Sequence, residues 1–391
     1  MTERRVLISA VAFDPQSPSG LNRYTNQFLE SMAQTSIQWT CYASSQRVKH
    51  LFGQEVRVIA DEGLAQGNST ANLRRLVWYQ TRLRALLREV RPALFYSPVA
   101  EGMIAPPCPQ VITIHDVIPL RYPEIHSRLK YYFRYVLPRI IDASQSIVFN
   151  SEATKADVQQ YYTCENKPIH VVYPTYNEDV FCRVESWRVE AARIRYGLSD
   201  YVLSVGETRP YKNIRRLIEA FARLQSTALC LAIVGKINQK DKALESYPRE
   251  LGVGARVKFL GYVPDEDLAA LYNGAHAFVF PSLYEGFGLP LVEAMACGCP
   301  VVASNVASIP EVCGTSAVYV NPTSVESIAA GIQRVASNDS MRSSLRQSGL
   351  KRVRRFRPEV AVAEIQMMLE GQIGIAHCQQ TSMVPSSSYN Q

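Results

Sequence analysis

Residues Phe278 to Pro310 read FVFPSLYEGFGLPLVEAMACGCPVVASNVASIP, and the order of their parts decides the fold. Phe278-Val279-Phe280 is a short apolar run with aromatic and β-branched bias, as a buried strand has. Pro281-Ser282 breaks it, and Tyr284-Glu285-Gly286-Phe287-Gly288 forms a turn whose glycines let backbone N–H groups come close to a ligand. Leu289 to Met295 is apolar with good helix formers, Cys297-Gly298 ends the helix, and Val301-Val302-Ala303 reads as the next buried strand. Strand, loop, helix and strand in this order form a crossover unit of a parallel sheet.

Two carboxylates punctuate the turn and helix, Glu285 and Glu293, with seven residues between them. On one continuous helix they would stand roughly 80° apart. Because Glu285 precedes the helix, it can hang over the open N-terminus while Glu293 sits a turn or two inside. One carboxylate can then face a sugar and the other a ribose, with the helix N–H groups attracting phosphate between them. The spacing alone equally fits an ordinary crossover with two solvated glutamates.

Upstream, strand Tyr201–Val205 runs into Gly206-Glu-Thr-Arg209-Pro-Tyr-Lys212-Asn213 and a helix with apolar Ile214, Leu217, Ile218 and Phe221. Two cations and a helix N-terminus directly after a parallel strand suit a diphosphate. Further strands are expected at Leu229–Val234 and Val257–Leu260, and helices at 324–336, 341–354 and 358–371. The first half repeats the architecture. Strand Val6–Ser9, the loop Asp14–Gly20 and a helix to Gln34 form the front of a Rossmann-like unit. Strand Val111–Ile114 ends in His115-Asp116, at the ligand-binding edge of an α/β sheet. Strands at Leu94–Ser97, 146–150 and 169–173 complete that half.

A chain of 391 residues is too long for one compact core and implies two domains. The divisions expected are 1–174, then 175–371 (a linker and second domain whose final helix crosses back), then a disordered tail over 372–391. A net charge of +7 favours anionic ligands without implying nucleic acid, and no nucleic-acid module is visible. Nine cysteines without zinc-ligand spacing, and no signal-peptide pattern, favour a reduced, cytoplasmic setting. No G-x-G-x-x-G supports a dehydrogenase and no G-x-S-x-G a hydrolase.

The pattern Glu285-Gly-Phe-Gly-Leu-Pro…Glu293-Ala-Met-Ala-Cys-Gly-Cys-Pro-Val-Val resembles the E-x7-E signature of GT4-type retaining glycosyltransferases. THDVIPLRYPE around His115 and the Gly206–Asn213 segment resemble further elements of that family, in variants similar to those of bacterial polysaccharide mannosyltransferases. The resemblance implies a GT-B fold, two Rossmann-like domains with parallel sheets facing a central cleft. It implies transfer of a hexose from a nucleoside diphosphate sugar, of GDP-mannose or UDP-glucose type, to a glycan, lipid-linked or small-molecule acceptor. No cofactor and no metal are implied beyond that donor. Carried over residue by residue, Glu285, His115, Arg209 and Lys212 become catalytic. Gly20, Asp116, Val263, Gly286, Phe287, Gly288, Leu289 and Glu293 become donor-binding. Asn22 stands where the family often has a second glycine, a departure from the pattern beside the Gly20 contact. A silent nucleotide-sugar-binding protein, or an epimerase or phosphorylase on the same fold, remain as alternatives.

One further segment bears on partners. Leu73, Leu76, Val77, Leu83, Leu86, Leu87 and Val90 fall at helical spacing, with Arg74, Arg75, Arg82, Arg84 and Arg88 as a basic complement. The expected packing buries the apolar stripe and exposes the arginines, as a solvated face or as a contact with an anionic membrane's inner face. Lys130 to Tyr135 adds a second basic, aromatic patch.

Overall fold

The computed structural model describes residues 5–17, 19–59, 62–65, 69–125, 128–164, 166–224 and 228–382. The chain divides into two compact units, one made of Met1–Thr175 with Pro358–Gln391, the other of Tyr176–Arg357.

In the first unit the strands are β1 (Val6–Ala10), β2 (Trp39–Ala43), β3 (Val56–Val58), β4 (Leu94–Ser97), β5 (Gln110–Ile114), β6 (Ser146–Phe149) and β7 (Ile169–Val171). They form one parallel sheet in the order β3-β2-β1-β4-β5-β6-β7. β1, β4 and β5 are buried along their whole length, as near-continuous apolar strands must be when helices cover both faces. The strand order reverses between β1 and β4, so a crevice opens beyond their C-terminal ends. Helix α1 (Gly20–Gln34) leads away from that crevice and buries Tyr24, Phe28, Leu29 and Met32, spaced for one face. Ser19 caps it, its hydroxyl accepting the Asn22 N–H at 3.2 Å.

The helix Pro358–Ser382 belongs to this unit by its packing. Ala361, Ile365, Met368 and Leu369 join the core formed by β1, β2 and α1. The disordered tail expected from 372 onward is corrected over its first part, since the helix runs to Ser382. Gln372 explains why: it is buried, and its carbonyl and side-chain oxygens accept from Gln145 Nε2 at 2.9 and 2.8 Å. The rest of that tail, 383–391, lies outside the described residues.

Helix α2 (Ser69–Trp78) continues through a π-helical turn over Tyr79–Leu83 into α3 (Arg84–Val90). The expected stripe is overturned here. A π turn inserts a residue and rotates everything before it against everything after. Trp78, Tyr79, Leu83 and Leu87 face the core, whereas Leu73 and Val77 stand 61% and 54% exposed. Arg75, read as part of the basic face, is buried instead. Its Nε donates to Glu101 Oε1 at 2.8 Å and its Nη1 to the Leu64 carbonyl at 2.7 Å.

The second unit carries β8 (Tyr201–Val205), β9 (Cys230–Val234), β10 (Val257–Gly261), β11 (Ala277–Phe280), β12 (Val301–Ser304) and β13 (Ala317–Val320). All are parallel, in the order β10-β9-β8-β11-β12-β13, with the reversal between β8 and β11. Its helices include α4 (Ser186–Tyr196), α5 (Ile214–Ala222), α6 (Leu289–Ala296) and α7 (Asp339–Arg352). Leu217, Ile218 and Phe221 of α5 pack with Ile328, Ile332 and Val335 over one face of the sheet.

Candidate active site

The reversal between β8 and β11 brings two loops together. After β8 the chain makes a single turn, Pro210–Lys212, and Asn213 then adopts φ +62 before α5 begins. Asn tolerates the left-handed region better than most residues, and its side chain has a structural task. Asn213 Nδ2 donates to the Pro281 carbonyl at 2.9 Å and the Pro322 carbonyl at 2.7 Å, tying the ends of β8, β11 and β13. After β11 the chain runs through Glu285 to Gly288, whose φ of +101 is open to glycine alone, and enters α6. Leu283 N–H donates to the Tyr211 carbonyl at 2.7 Å, so the two loops are bonded directly.

At the centre of this crevice Lys212 Nζ lies 2.7 Å from Glu285 Oε1 and 2.9 Å from Oε2. The two side chains are only 17% and 9% exposed. Phe280 and Tyr211 present ring faces to the ammonium at 5.3 and 5.7 Å, a favourable cation–π environment once water is excluded. Removing two charges from water is costly, so the pair persists because its geometry is good and its backbone is fixed. Ser308 supplies that fixation: its hydroxyl shares its proton between the carbonyls of Glu285 (3.0 Å) and Phe287 (2.9 Å). Nothing in the sequence marks Ser308, more than twenty positions away; only tertiary contact reveals it. Asn213 could have been suspected from sequence, because Asn is among the few non-glycine residues that readily take a positive φ where a short turn must feed a helix.

The other residues expected in this unit are distributed around the pair. Arg209 Nε donates to Glu207 Oε2 at 2.9 Å, with the guanidinium about a third exposed. Gly286 and Phe287 share Glu285's loop and Leu289 opens α6, while the Phe287 ring meets Phe356 edge-on at 5.5 Å. Glu293 is buried in the second turn of α6 at 3% exposure. Val263 is buried just beyond the C-terminal end of β10, on the far side of β9 from the pair.

Gly20, His115 and Asp116 belong to the first unit. Gly20 is the first residue of α1, and a Cβ built there would meet nothing within 4 Å, so no neighbouring protein atom requires glycine. Asn22 closes the preceding loop, accepting from Asp14 N–H and donating to the Ser17 carbonyl, both at 3.2 Å. That is the physical content of its replacing a glycine. His115 follows β5 and reaches to the end of β4, where Nε2 bonds the Pro98 carbonyl at 2.8 Å. Tyr24 packs edge-on against the imidazole at 4.3 Å. Burial pulls its pKa down to about 4, so the ring is neutral near pH 7. A carbonyl only accepts, hence Nε2 carries the proton and Nδ1 is left as an acceptor. Asp116 turns back on its own chain, Oδ1 accepting the Ile118 N–H at 2.8 Å. Among the described residues no group of three or more His, Cys, Asp or Glu is placed to hold a metal ion.

Residues 18–180 match the family described as Glycosyltransferase Family 4, and residues 191–352 that described as Glycosyl transferases group 1. The chain is 32% identical over 252 residues to O-antigen chain mannosyltransferase B of Escherichia coli, across 63% of this chain and 66% of that one. It is 27% identical over 330 residues to O-antigen chain mannosyltransferase RfbU of Salmonella typhimurium, across 82% and 88%. Among solved structures, sucrose-phosphate synthase from Thermosynechococcus elongatus superposes with a TM-score of 0.79 at 20% identity, covering 95% of this chain and 100% of that one. Anabaena HepE in complex with UDP and glucose gives 0.72 at 18% identity, covering 94% and 100%. With both halves matched in sequence and two parallel Rossmann-like sheets in its fold, the chain belongs to the GT4-type glycosyltransferases of GT-B fold.

Proposed function

We propose that this glycosyltransferase moves a hexosyl group from a nucleoside diphosphate sugar to a glycan or lipid-linked acceptor during polysaccharide or glycolipid assembly. The observation that carries the reading is the Lys212–Glu285 pair at the second unit's strand reversal. The bond between the sugar's anomeric carbon and the diphosphate breaks with its electrons going to the diphosphate. The acceptor hydroxyl forms the new bond and its proton passes to the departing phosphate oxygen. Lys212 has one N–H beyond the two directed at Glu285, and with Arg209 it stabilises the charge that develops on the diphosphate. Glu285 holds sugar hydroxyls beside the cationic carbon, Glu293 grips the ribose, and backbone groups near Val263 take the base. Gly20, His115 and Asp116 are the first unit's contacts for the sugar.

Retention of configuration, by attack on the face the diphosphate leaves, is what the resemblance to GT4-type enzymes implies, and we assign no side chain as a covalent nucleophile. The fixed cations supply the charge that a divalent metal supplies elsewhere, so turnover is expected to survive chelation. The O-antigen mannosyltransferase relatives favour a mannosyl donor, for which GDP-mannose is the first to try, and the HepE complex with UDP and glucose keeps UDP-glucose as the other. The test is a nucleotide-sugar panel with released nucleoside diphosphate as readout and EDTA present. One donor should be turned over, and Lys212→Ala and Glu285→Ala should each lower its rate about a hundredfold or more. Turnover that survives both substitutions overturns the assignment.

A second reading concerns the acceptor side. Exposed Leu73 and Val77 neighbour Arg74, and exposed Tyr131 and Tyr135 stack at 6.4 Å beside Lys130. Both segments dock on one loop, through Arg75 to Glu101 and through the Tyr132 hydroxyl to the Ala100 carbonyl at 2.8 Å. Aromatic, aliphatic and basic groups in this combination suit the surface of an anionic bilayer. No described helix is long and apolar enough to cross one. Sedimentation with phosphatidylglycerol vesicles, lost in a Leu73→Ser/Val77→Ser variant, would support that contact, and no sedimentation would remove it.

A further inference from the structure

A cavity of about 470 Å³ opens in the second unit, lined by Gly274, Ala275 and His276, which lead into β11. It therefore lies at the N-terminal edge of the sheet, opposite the edge that carries Lys212 and Glu285. Four arginines line it: Arg183, Arg193 of α4, and Arg342 and Arg346 of α7. Arg183 and Arg346 converge on Gly298. A Cβ there would come within 3.1 Å of Arg183 Cδ and 3.2 Å of Arg346 Cγ, and the residue's φ is +68.

Backbone carbonyls hold all four guanidinium groups, Arg342 through Val335 and Ala336. Arg346 Nε donates to Gly298 at 3.0 Å, Arg193 Nη2 to Gly274 at 3.1 Å, and Arg183 Nη1 to Cys297 at 3.3 Å. The acids nearby are otherwise engaged or few. Asp339 pairs with Arg342 and Asp200 with His276, leaving Glu190 as the carboxylate in the lining. Among the described residues, no carboxylate stands within ion-pair distance of Arg183, Arg193 or Arg346. Burial and the neighbouring Arg346 charge make Arg183 harder to keep protonated than an ordinary arginine, a strain that an anion between them would relieve. Arg193 Nε is also buried without a protein partner, and such donors normally find one.

We propose that this cavity binds a small phosphate-bearing anion, a diphosphate or a sugar phosphate, between Arg183, Arg193 and Arg346. The volume is that of a small-molecule site, and most N–H donors of the three guanidinium groups remain for the planar, two-pronged contacts phosphate accepts. Arg183 and Arg346 also grip the carbonyls of Cys297 and Gly298 just past α6, so part of their charge offsets the negative end of that helix, and an anion would be held by the guanidinium edges turned away from it.

The inference does not rest on the donor assignment, and the experiment keeps the two apart. Inorganic pyrophosphate and glucose 6-phosphate are titrated calorimetrically into the wild type, Lys212→Ala, and Arg183→Gln/Arg346→Gln, glutamine retaining donors for the two carbonyls. At least one probe should bind the wild type and Lys212→Ala alike and lose tenfold or more in affinity in the double variant; which probe does so identifies the source. Hydrogen exchange on the wild type provides a second readout, with protection expected over 183–193 and 342–349 on adding the bound probe. Binding unchanged in the folded double variant, or no Lys212-independent binding of either probe at millimolar concentration, or no protection of those segments, overturns the proposal.

Discussion

The two units reverse their strand order at equivalent places and fill the resulting crevices in opposite ways. Beyond β1 and β4 the first unit sets a neutral imidazole, a tyrosine edge, an asparagine that closes its own loop, and an open glycine. Beyond β8 and β11 the second unit sets an ammonium and a carboxylate in contact, against two aromatic rings. Topology places both crevices; the side chains decide what each can hold. A crevice built around a neutral imidazole, with the acceptor oxygens of Asp116 beside it, suits hydroxyl groups. A crevice with a fixed cation suits a leaving anion, whose charge grows as the bond breaks.

The comparison breaks most readily at Lys212. Lys212→Ala is expected to lower turnover about a hundredfold or more and to cost about 3 kcal/mol of stability, because Glu285 is left buried without its partner. The double variant Lys212→Met/Glu285→Gln should recover most of that stability in urea unfolding while remaining inactive. Recovery of both would make the pair a structural device, and the contrast between the crevices would lose its functional meaning.

A pH series sharpens the other side. The folded state holds His115 near pKa 4, below its ordinary value of 6.5. The unfolded chain thus binds the extra proton between those values. Stability from this group is complete above about pH 6.5 and falls as pH drops toward 4, by on the order of 3 kcal/mol. His170 is shifted in the same direction by its own burial, so part of the slope belongs to it. His115→Gln, which can still donate to Pro98, should flatten the stability–pH curve between 4 and 6.5 without abolishing it. An unchanged curve would mean that the imidazole is solvated and the first crevice is not neutral by construction.

Much of this was legible before any coordinates. The apolar runs gave the strands because a parallel sheet covered on both faces needs uninterrupted apolar segments. The cations after β8 and the carboxylate after β11 could be read as ligand-binding because strand ends at a reversal face the ligand. Their direct contact could not be read, since Lys212 and Glu285 are 73 positions apart and meet only through the pairing of β8 with β11. Arg75 and Leu73 were misplaced for a different reason. Helical periodicity assumes one uniform repeat, and the π turn at Tyr79–Leu83 changes the phase midway. The helix beyond 371 was missed because Gln372, polar in sequence, is an anchor in the fold.

The smallest effect is expected at Asn22, where the first crevice departs from the commoner glycine. Its two loop bonds are long at 3.2 Å, and the residue is nearly buried at 8% exposure. Asn22→Gly removes both bonds and adds backbone freedom in the first turn of α1, so a loss of about 1–2 kcal/mol is expected in urea unfolding. Gly20 needs no side-chain space from the protein, and Asn22 two residues on ties its helix turn to Asp14 and Ser17. KM for the sugar donor should therefore rise a few-fold with kcat nearly constant, because the loop must be ordered at the moment of binding. A fall in kcat with unchanged KM would place Asn22 at the reacting atoms, and the first crevice would then share in the chemistry that the second was taken to carry.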